Sequence, residues 1–393
     1  MKQILFAILV INTFICFDQI DYTKLIIGRN QGTHTFPDGE QTRIMGFTES
    51  LSAPTKVPGP TIIINSGDSI KIDFWNMSQG APHTIHLHGL DVDQQNDGVG
   101  MLSFEVEHDQ HGYYYFKAPH PGTYLYHCHV GSTVHLQAGM YGLVIVRPSN
   151  GNTLLNWDGG EYYNKEFALL TSEIDTVWHN DTILDQNHDM AMQMPYYVPQ
   201  VFKPQYFLIN GLSGSQLSDP ANYLFALQNE KVYMRLANIG YYGTRFIFPS
   251  QLNARTVASD GRPLPFETFS DTVEVLPGER YEAFLQLGTD TFYPFVVEHF
   301  NLNTQIVESQ QTMTIQTSLL NLEGNLSPTF NLHPNPSRDL FIFDGDITES
   351  YSVQQIDGRE LFRSMSDLID MSKYPTGIYC VLYKGQLKKI FLY

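Results

Sequence analysis

The chain has 393 residues, 42% of them hydrophobic and 16% charged, with 25 Phe and 23 Tyr; this fills the cores of two or three domains and excludes a disordered, fibrous or disulfide-dependent small fold. Acidic residues outnumber basic ones by 41 to 23, a formal charge of −18, and such a field repels phosphate backbones and anionic lipid, so neither nucleic acid nor a membrane surface is expected as a partner. The three cysteines, Cys16, Cys128 and Cys380, stand too far apart to suggest a disulfide framework.

In chain order, Lys2 precedes an apolar run from Ile4 to Phe17 that is short for a bilayer span, so residues 1–19 read as a secretory signal. No later segment is apolar and long enough to span a bilayer, and the residues before Cys16 predict no lipid anchor. Short runs rich in Val, Ile, Phe, Tyr and Thr follow, separated by Gly, Pro, Asn and Asp, as at Thr61–Asn65, Ser69–Trp75, Tyr113–Lys117 and Gly142–Arg147. Period-two patterning at this turn density predicts an all-β sandwich or barrel fold with few helices. The expected divisions are a first β unit over residues 20–150, a second over 151–317 and a small C-terminal β-sandwich over 328–393, with polar stretches at Ser149–Gly160 and Ser318–Ser327 between them.

The chemistry is concentrated in two strings of the first unit. One is Pro82-His83-Thr84-Ile85-His86-Leu87-His88-Gly89; the other is His127-Cys128-His129, followed by His135 and Met140. Six of the 14 histidines fall in them. On strands, successive side chains alternate between faces, so parity sorts the donors. His86 and His88 share a face with His83 opposed; His127 and His129 share a face with Cys128 opposed. If the two strands are neighbours, one side gathers His83 and Cys128 and the other four imidazoles, which makes two metal centres back to back.

On the cysteine side, a loop carrying His135 and Met140 completes the set. A thiolate, two imidazoles and a weak thioether are the ligands of a mononuclear blue copper site. Zinc accepts Cys and His but has no use for an axial Met, and it is redox-inert. His188 and the alternating Met190, Met192 and Met194 form a further string, which reads either as soft sulfur ligands for Cu(I) or as packing filler. His108, His111 and His120 are expected in loops near the sites, with no spacing that makes them ligands. Tyr113–Tyr115 read as a sheet face.

These strings carry a family resemblance. "VPGPTIIINSGDSIKIDFWN" at 57–76, "HTIHLHGLDVDQQNDGV" at 83–99 and "PGTYLYHCHVGSTVHLQAGMYGLVIV" at 121–146 resemble the cupredoxin domains of multicopper oxidases. "YFLING" at 206–211, "MRLANIGYYGTRFIF" at 234–248, "TVASDGRPL" at 256–264 and "LPGERYEAFLQL" at 276–287 are similar to the second domain of that family. The resemblance implies two cupredoxin-like Greek-key domains. It also implies type 1 copper on His83, Cys128, His135 and Met140, with His86 at a type 2 position and His88, His127 and His129 at type 3 positions. Electrons would pass from a small-molecule donor through Cys128 to a second copper centre on His86, His88, His127 and His129, where dioxygen is reduced.

A complete trinuclear cluster in that family takes eight imidazoles, and the first unit offers four. The second unit has only His179, His188 and His299, none paired, and reads Phe246-Ile247-Phe248 where a His-x-His string belongs. His299, in "YPFVVEHFNLN", resembles the histidine that copper nitrite reductases contribute across a trimer interface, which keeps nitrite open as the acceptor; the other reading of His299 is a satisfied polar residue at a strand end. A carrier protein in which only the type 1 site works is the third reading. Resemblance to two-domain oxidases and nitrite reductases implies a homotrimer.

"HPNPSRDLFIF", "QQIDGRELFRS" and "IDMSKYPTGIYCVLYKGQLKKIFLY" resemble the type A C-terminal sorting domain of the type IX secretion system of Bacteroidetes. This implies recognition by that secretion machinery and passage through the periplasm to the outside or the cell surface, with the tail removed.

Overall fold

The computed structural model describes residues 20–149, 154–186, 197–318 and, with short gaps, 331–392. The signal-like run with Cys16 and the segment from His188 to Met194 lie outside the described residues. Strand makes up 52% and helix 8% of the structure, so the chain is all-β. It divides into two compact units, Met1–Leu224 with Asn229–Ile315, and Phe225–Gln228 with Gln316–Tyr393.

The first unit holds two pairs of sheets. In the N-terminal pair the strands are β1 (Tyr22–Thr35), β2 (Gln41–Thr48), β3 (Ile62–Asn65), β4 (Ser69–Asn76), β5 (His86–His88), β6 (Gln110–Lys117), β7 (Gly122–His127) and β8 (Tyr141–Arg147). One sheet runs β2-β1-β4-β6 and the other β3-β8-β7-β5. The alternation read in the sequence packs them together: Ile70, Ile72 and Phe74 of β4 and Tyr114 and Phe116 of β6 are buried between the sheets, while Lys71, Asp73, Tyr113 and Tyr115 face out. Burying such side chains contributes roughly 1.5–3 kcal/mol each.

The middle pair begins with β9 (Lys165–Ile174) and β10 (Tyr206–Ile209), followed by β11 (Leu224–Leu227), β12 (Lys231–Asn238), β13 (Gly243–Ile247), β14 (Arg255–Ser259), β15 (Arg262–Phe269), β16 (Thr272–Val275), β17 (Arg280–Gln286), β18 (Phe292–Phe300) and β19 (Val307–Ser318), of which residues 225–227 and 316–318 fall within the bounds of the second unit. A six-stranded sheet, β10-β9-β12-β17-β14-β15, faces the N-terminal pair. Leu125, Tyr141 and Leu143 share one apolar cluster with Leu170, Ile174, Leu208 and Ala237. Beside that cluster, the fully buried Arg235 pairs with Glu282 at 2.9 Å, and Thr123 of β7 donates its hydroxyl to the same carboxylate at 2.6 Å.

The second unit is a small pair of sheets. Leu340–Asp344 lies between Asn331–His333 and Leu368–Asp370, and a four-stranded sheet is built on Tyr351–Gln355 and Gly377–Tyr383. Its core contains Phe341, Phe343, Tyr351, Val353, Ile369, Val381 and Ile390. Cys380 is buried there and is not in a disulfide. Among the described residues no helix is long and apolar enough to cross a membrane.

Candidate metal centres

Strands β5 and β7 are hydrogen-bonded neighbours in antiparallel register, with His86 opposite His127 and His88 opposite Leu125. Their core-facing residues, Leu87 and Tyr126, are fully buried. Strand alternation therefore turns His86, His88 and His127 to the other face, toward the middle pair. His83 precedes β5, held by a two-way backbone bridge to Val106, and Cys128 follows β7 directly. The sequence thus separates the donors into two sets by parity alone.

The first set is His83, Cys128 and His135, all buried, with ligand atoms within 4.8 Å of one another. Cys128 Sγ lies 3.4 Å from His83 Nδ1 and 3.3 Å from His135 Nδ1. Met140 is fully buried and tied to both through the backbone: its N–H donates to the His135 carbonyl and its carbonyl accepts from the Cys128 N–H, each at 3.0 Å. His135 does not sit in a loop as expected. It lies on a short helix, α1 (Ser132–Gln137), entered through Gly131 in the left-handed region at φ 50°.

Burial pushes the Cys128 thiol up to about 12, and burial followed by the nearby His135 holds His83 well below the usual imidazole range. A thiol in this environment stays protonated unless a cation replaces its proton, and neutral imidazoles are the form that binds metal. The donor set fits a soft, thiolate-preferring metal, and copper matches the His-Cys-His-Met combination.

The second set is His86, His88 and His127, again with ligand atoms within 4.8 Å. His88 Nδ1 faces His127 Nε2 at 3.3 Å. The His129 ring completes a cluster of four imidazoles, its centroid 5.1 Å from that of His86 and 5.9 Å from that of His127. Two rings are oriented from behind. His86 donates Nδ1–H to the Asp97 carbonyl at 2.7 Å and His127 donates Nδ1–H to the Cys128 carbonyl at 2.9 Å, so each keeps Nε2 as the lone pair for a metal. Burial lowers His127 to about 3 and, with the Arg280 guanidinium as the next cause, His88 to about 4. His86 and His88 are half-buried, which leaves this set reachable by a small molecule.

Several residues that sequence reasoning missed shape the second set. Asp97 reaches His86 because Gly98, at φ 75°, lets its loop press on the Ile85 carbonyl, where a Cβ would collide. Gly89, at φ 85°, leaves room for the buried Arg280 guanidinium beside His88 in the same way. The glycines were visible in the sequence, but nothing there announced what approaches them.

His299 joins neither set, and both expectations for it are corrected. It lies on β18 with 0% exposure, its ring 5.0 Å from Phe207 and neither ring nitrogen hydrogen-bonded. A ring lent to a neighbouring chain needs a nitrogen at the surface, and a satisfied polar residue needs a partner. His111 is likewise not in a loop: it lies on β6, stacked on Trp75 at 5.1 Å and 2.6 Å from Asp73. His179 is buried and donates to the Arg43 carbonyl at 2.6 Å.

The multicopper oxidase family matches this chain over residues 31–151, the stretch that carries both sets. Among curated relatives, the copper-containing nitrite reductase of Neisseria meningitidis is 29% identical over 210 residues, 53% of this chain and 47% of that protein. The L-ascorbate oxidase of Nicotiana tabacum is 25% identical over 332 residues, 78% of this chain and 53% of that protein. The chain thus spans about half the length of these relatives. Among solved structures, the blue copper oxidase of Nitrosomonas europaea superposes with a TM-score of 0.58 at 22% identity, over 76% of this chain and 86% of that one. The copper nitrite reductase of the same organism gives 0.55 at 18% identity, over 75% and 94%. These two share the fold.

Proposed function

We propose that the protein is a secreted, copper-dependent oxidoreductase of the multicopper oxidase type that takes electrons from a small-molecule donor and reduces dioxygen. The observation that carries this reading is covalent continuity between the two donor sets: Cys128 of the first is bonded through the backbone to His127 of the second and to His129 beside it. Type 1 copper would be held by His83, Cys128, His135 and Met140, and further copper by His86, His88, His127 and His129. When bound, copper supplies one-electron transfer at the first set and reduction of a small acceptor at the second. The chain's own residues bury the donor side, hold His83, His86, His88 and His127 below the usual imidazole range and leave the second set open to a small molecule.

Four imidazoles do not enclose a full cluster, so the second centre would be completed between chains, in a homotrimer. The neisserial relative supports a second reading, nitrite reduction with two coppers per chain. The −18 charge weighs against a free anionic acceptor. Supplying the copper-loaded protein with an artificial one-electron donor separates the two. Oxygen uptake without nitrite is the expected result; nitric oxide release from nitrite, with no oxygen uptake, would replace the oxidase reading.

Export rests on the sequence of residues 1–19 and on the C-terminal tail, which we assign to type IX sorting. The corresponding division is 20–150 and 151–317 for the two cupredoxin-like domains and 328–393 for the sorting domain. Fractionation of the producing cells, with the mass of the external form, tests this. A tail-free protein outside the cell is expected, and full-length protein retained in the cytoplasm would refute it.

A further inference from the structure

We propose that the middle sheet pair, which among the described residues supplies no member of either donor set, positions His135 by clamping α1 at two points: Tyr241 at Thr133, and Gln137 at the end of β9. A six-residue helix has almost no stability of its own, and α1 has no side-chain cap at its entrance. Something outside it must hold it in place.

Both holds come from residues more than thirty positions away. The Tyr241 hydroxyl donates to the Thr133 carbonyl at 2.6 Å. The Gln137 amide, buried, donates to the Glu173 carbonyl at 2.9 Å and accepts the Asp175 N–H at 2.7 Å. Thr133 and Gln137 are four residues apart, so they share one face of the helix. His135, about 200° round from Thr133 at 100° per residue, points away from that face and toward Cys128.

The two clamps also converge on one anchor. The backbone N–H of Tyr241 donates to the Glu173 carboxylate, and Asp175 is fixed by accepting the N–H groups of Val177 at 3.0 Å and Lys203 at 2.7 Å. The Tyr241 ring packs against Phe202, centroids 5.1 Å apart. His135 therefore sits midway along α1 between two points that are hydrogen-bonded to the middle pair.

This inference builds on His135 as a copper ligand, but its first test needs no metal. Amide hydrogen exchange of the full chain without copper is compared for wild type, Tyr241→Phe and Gln137→Met. Each removed bond is expected to speed exchange of residues 131–138 about fivefold, with 122–127 unchanged. Unchanged exchange at 131–138, or equal acceleration at 122–127, overturns the clamp. Should Gln137→Met not fold, Tyr241→Phe decides alone, since it removes one hydroxyl and leaves no cavity.

The second test uses the copper-loaded full chain. The visible absorption maximum and the copper hyperfine splitting are expected to move in both variants at unchanged copper content. Faster exchange with a wild-type spectrum would mean that the helix is held but the ligand is not, and the positioning role would fall. A wild-type chain that takes up no copper would instead overturn the proposed function, while the exchange result would still decide the clamp.

Discussion

At the scale of single residues, Cys128 is the only thiol among the described residues of the first unit, and it is fully buried between two imidazoles. Cys128→Ser, measured by absorption on copper-loaded protein, should therefore abolish intense blue colour; a variant that stayed blue would remove the type 1 assignment. His86→Ala should leave that colour intact and lower copper content, because His86 belongs to the other set. Glu173 gives a pH prediction. Burial pushes its carboxyl up to about 8 from 4.5, and one of its oxygens has no partner. The folded chain therefore holds this proton more tightly than the unfolded chain. The stabilisation is complete below about pH 4.5 and is lost as pH rises to about 8, some 5 kcal/mol in order of magnitude. In Glu173→Gln this part of the decline should vanish when melting temperature is followed from pH 5 to 8; an unaltered decline would refute the burial argument. The grouping of the donors into two sets was legible in the sequence because alternation on a strand needs only parity. Asp97 was not, because His86 uses its backbone carbonyl, which every residue carries.

Among elements, the contrast lies between strands and the one short helix at the site. Ile62–Asn65, Ser69–Asn76 and Tyr141–Arg147 were readable to within a residue from runs of β-branched and aromatic residues between turn signals. Helix α1 was not, since Ser-Thr-Val-His-Leu-Gln is too short to show a helical period and includes β-branched Thr133 and Val134. Its conformation depends on hydrogen bonds to the middle pair, which local sequence does not encode. The junction of β7, β12 and β17 belongs to the same class. Arg235 is fully buried between Glu166 and Glu282, with Thr123 and Tyr233 bonded to the Glu282 carboxylate. Arg147 also pairs with Glu166, so Glu282→Gln leaves two guanidiniums on one carboxylate, one of them fully buried, and should cost about 3–5 kcal/mol in urea unfolding. A loss below about 1 kcal/mol would mean that the network is not coupled as its distances suggest.

For the whole molecule, the acidic surplus of 41 over 23 governs how charged donors approach. Reduction by a cationic one-electron donor should slow as salt rises, and reduction by an anionic donor should quicken; stopped-flow rates at two ionic strengths check this, and identical trends would show that the surface field is not felt at the entry site. The all-β fold was legible because turn density and period two run the length of the chain. Phe246-Ile247-Phe248, where the resemblance would put a His-x-His string, lies on β13 and at its end. The central claim is that two copper centres share the Cys128–His127 and Cys128–His129 links. Copper content with electron paramagnetic resonance on the loaded full chain tests it most directly. More than one copper per chain, with a blue type 1 signal and a separate second signal, is the expected result. A single copper per chain, with the type 1 signal alone, would contradict it.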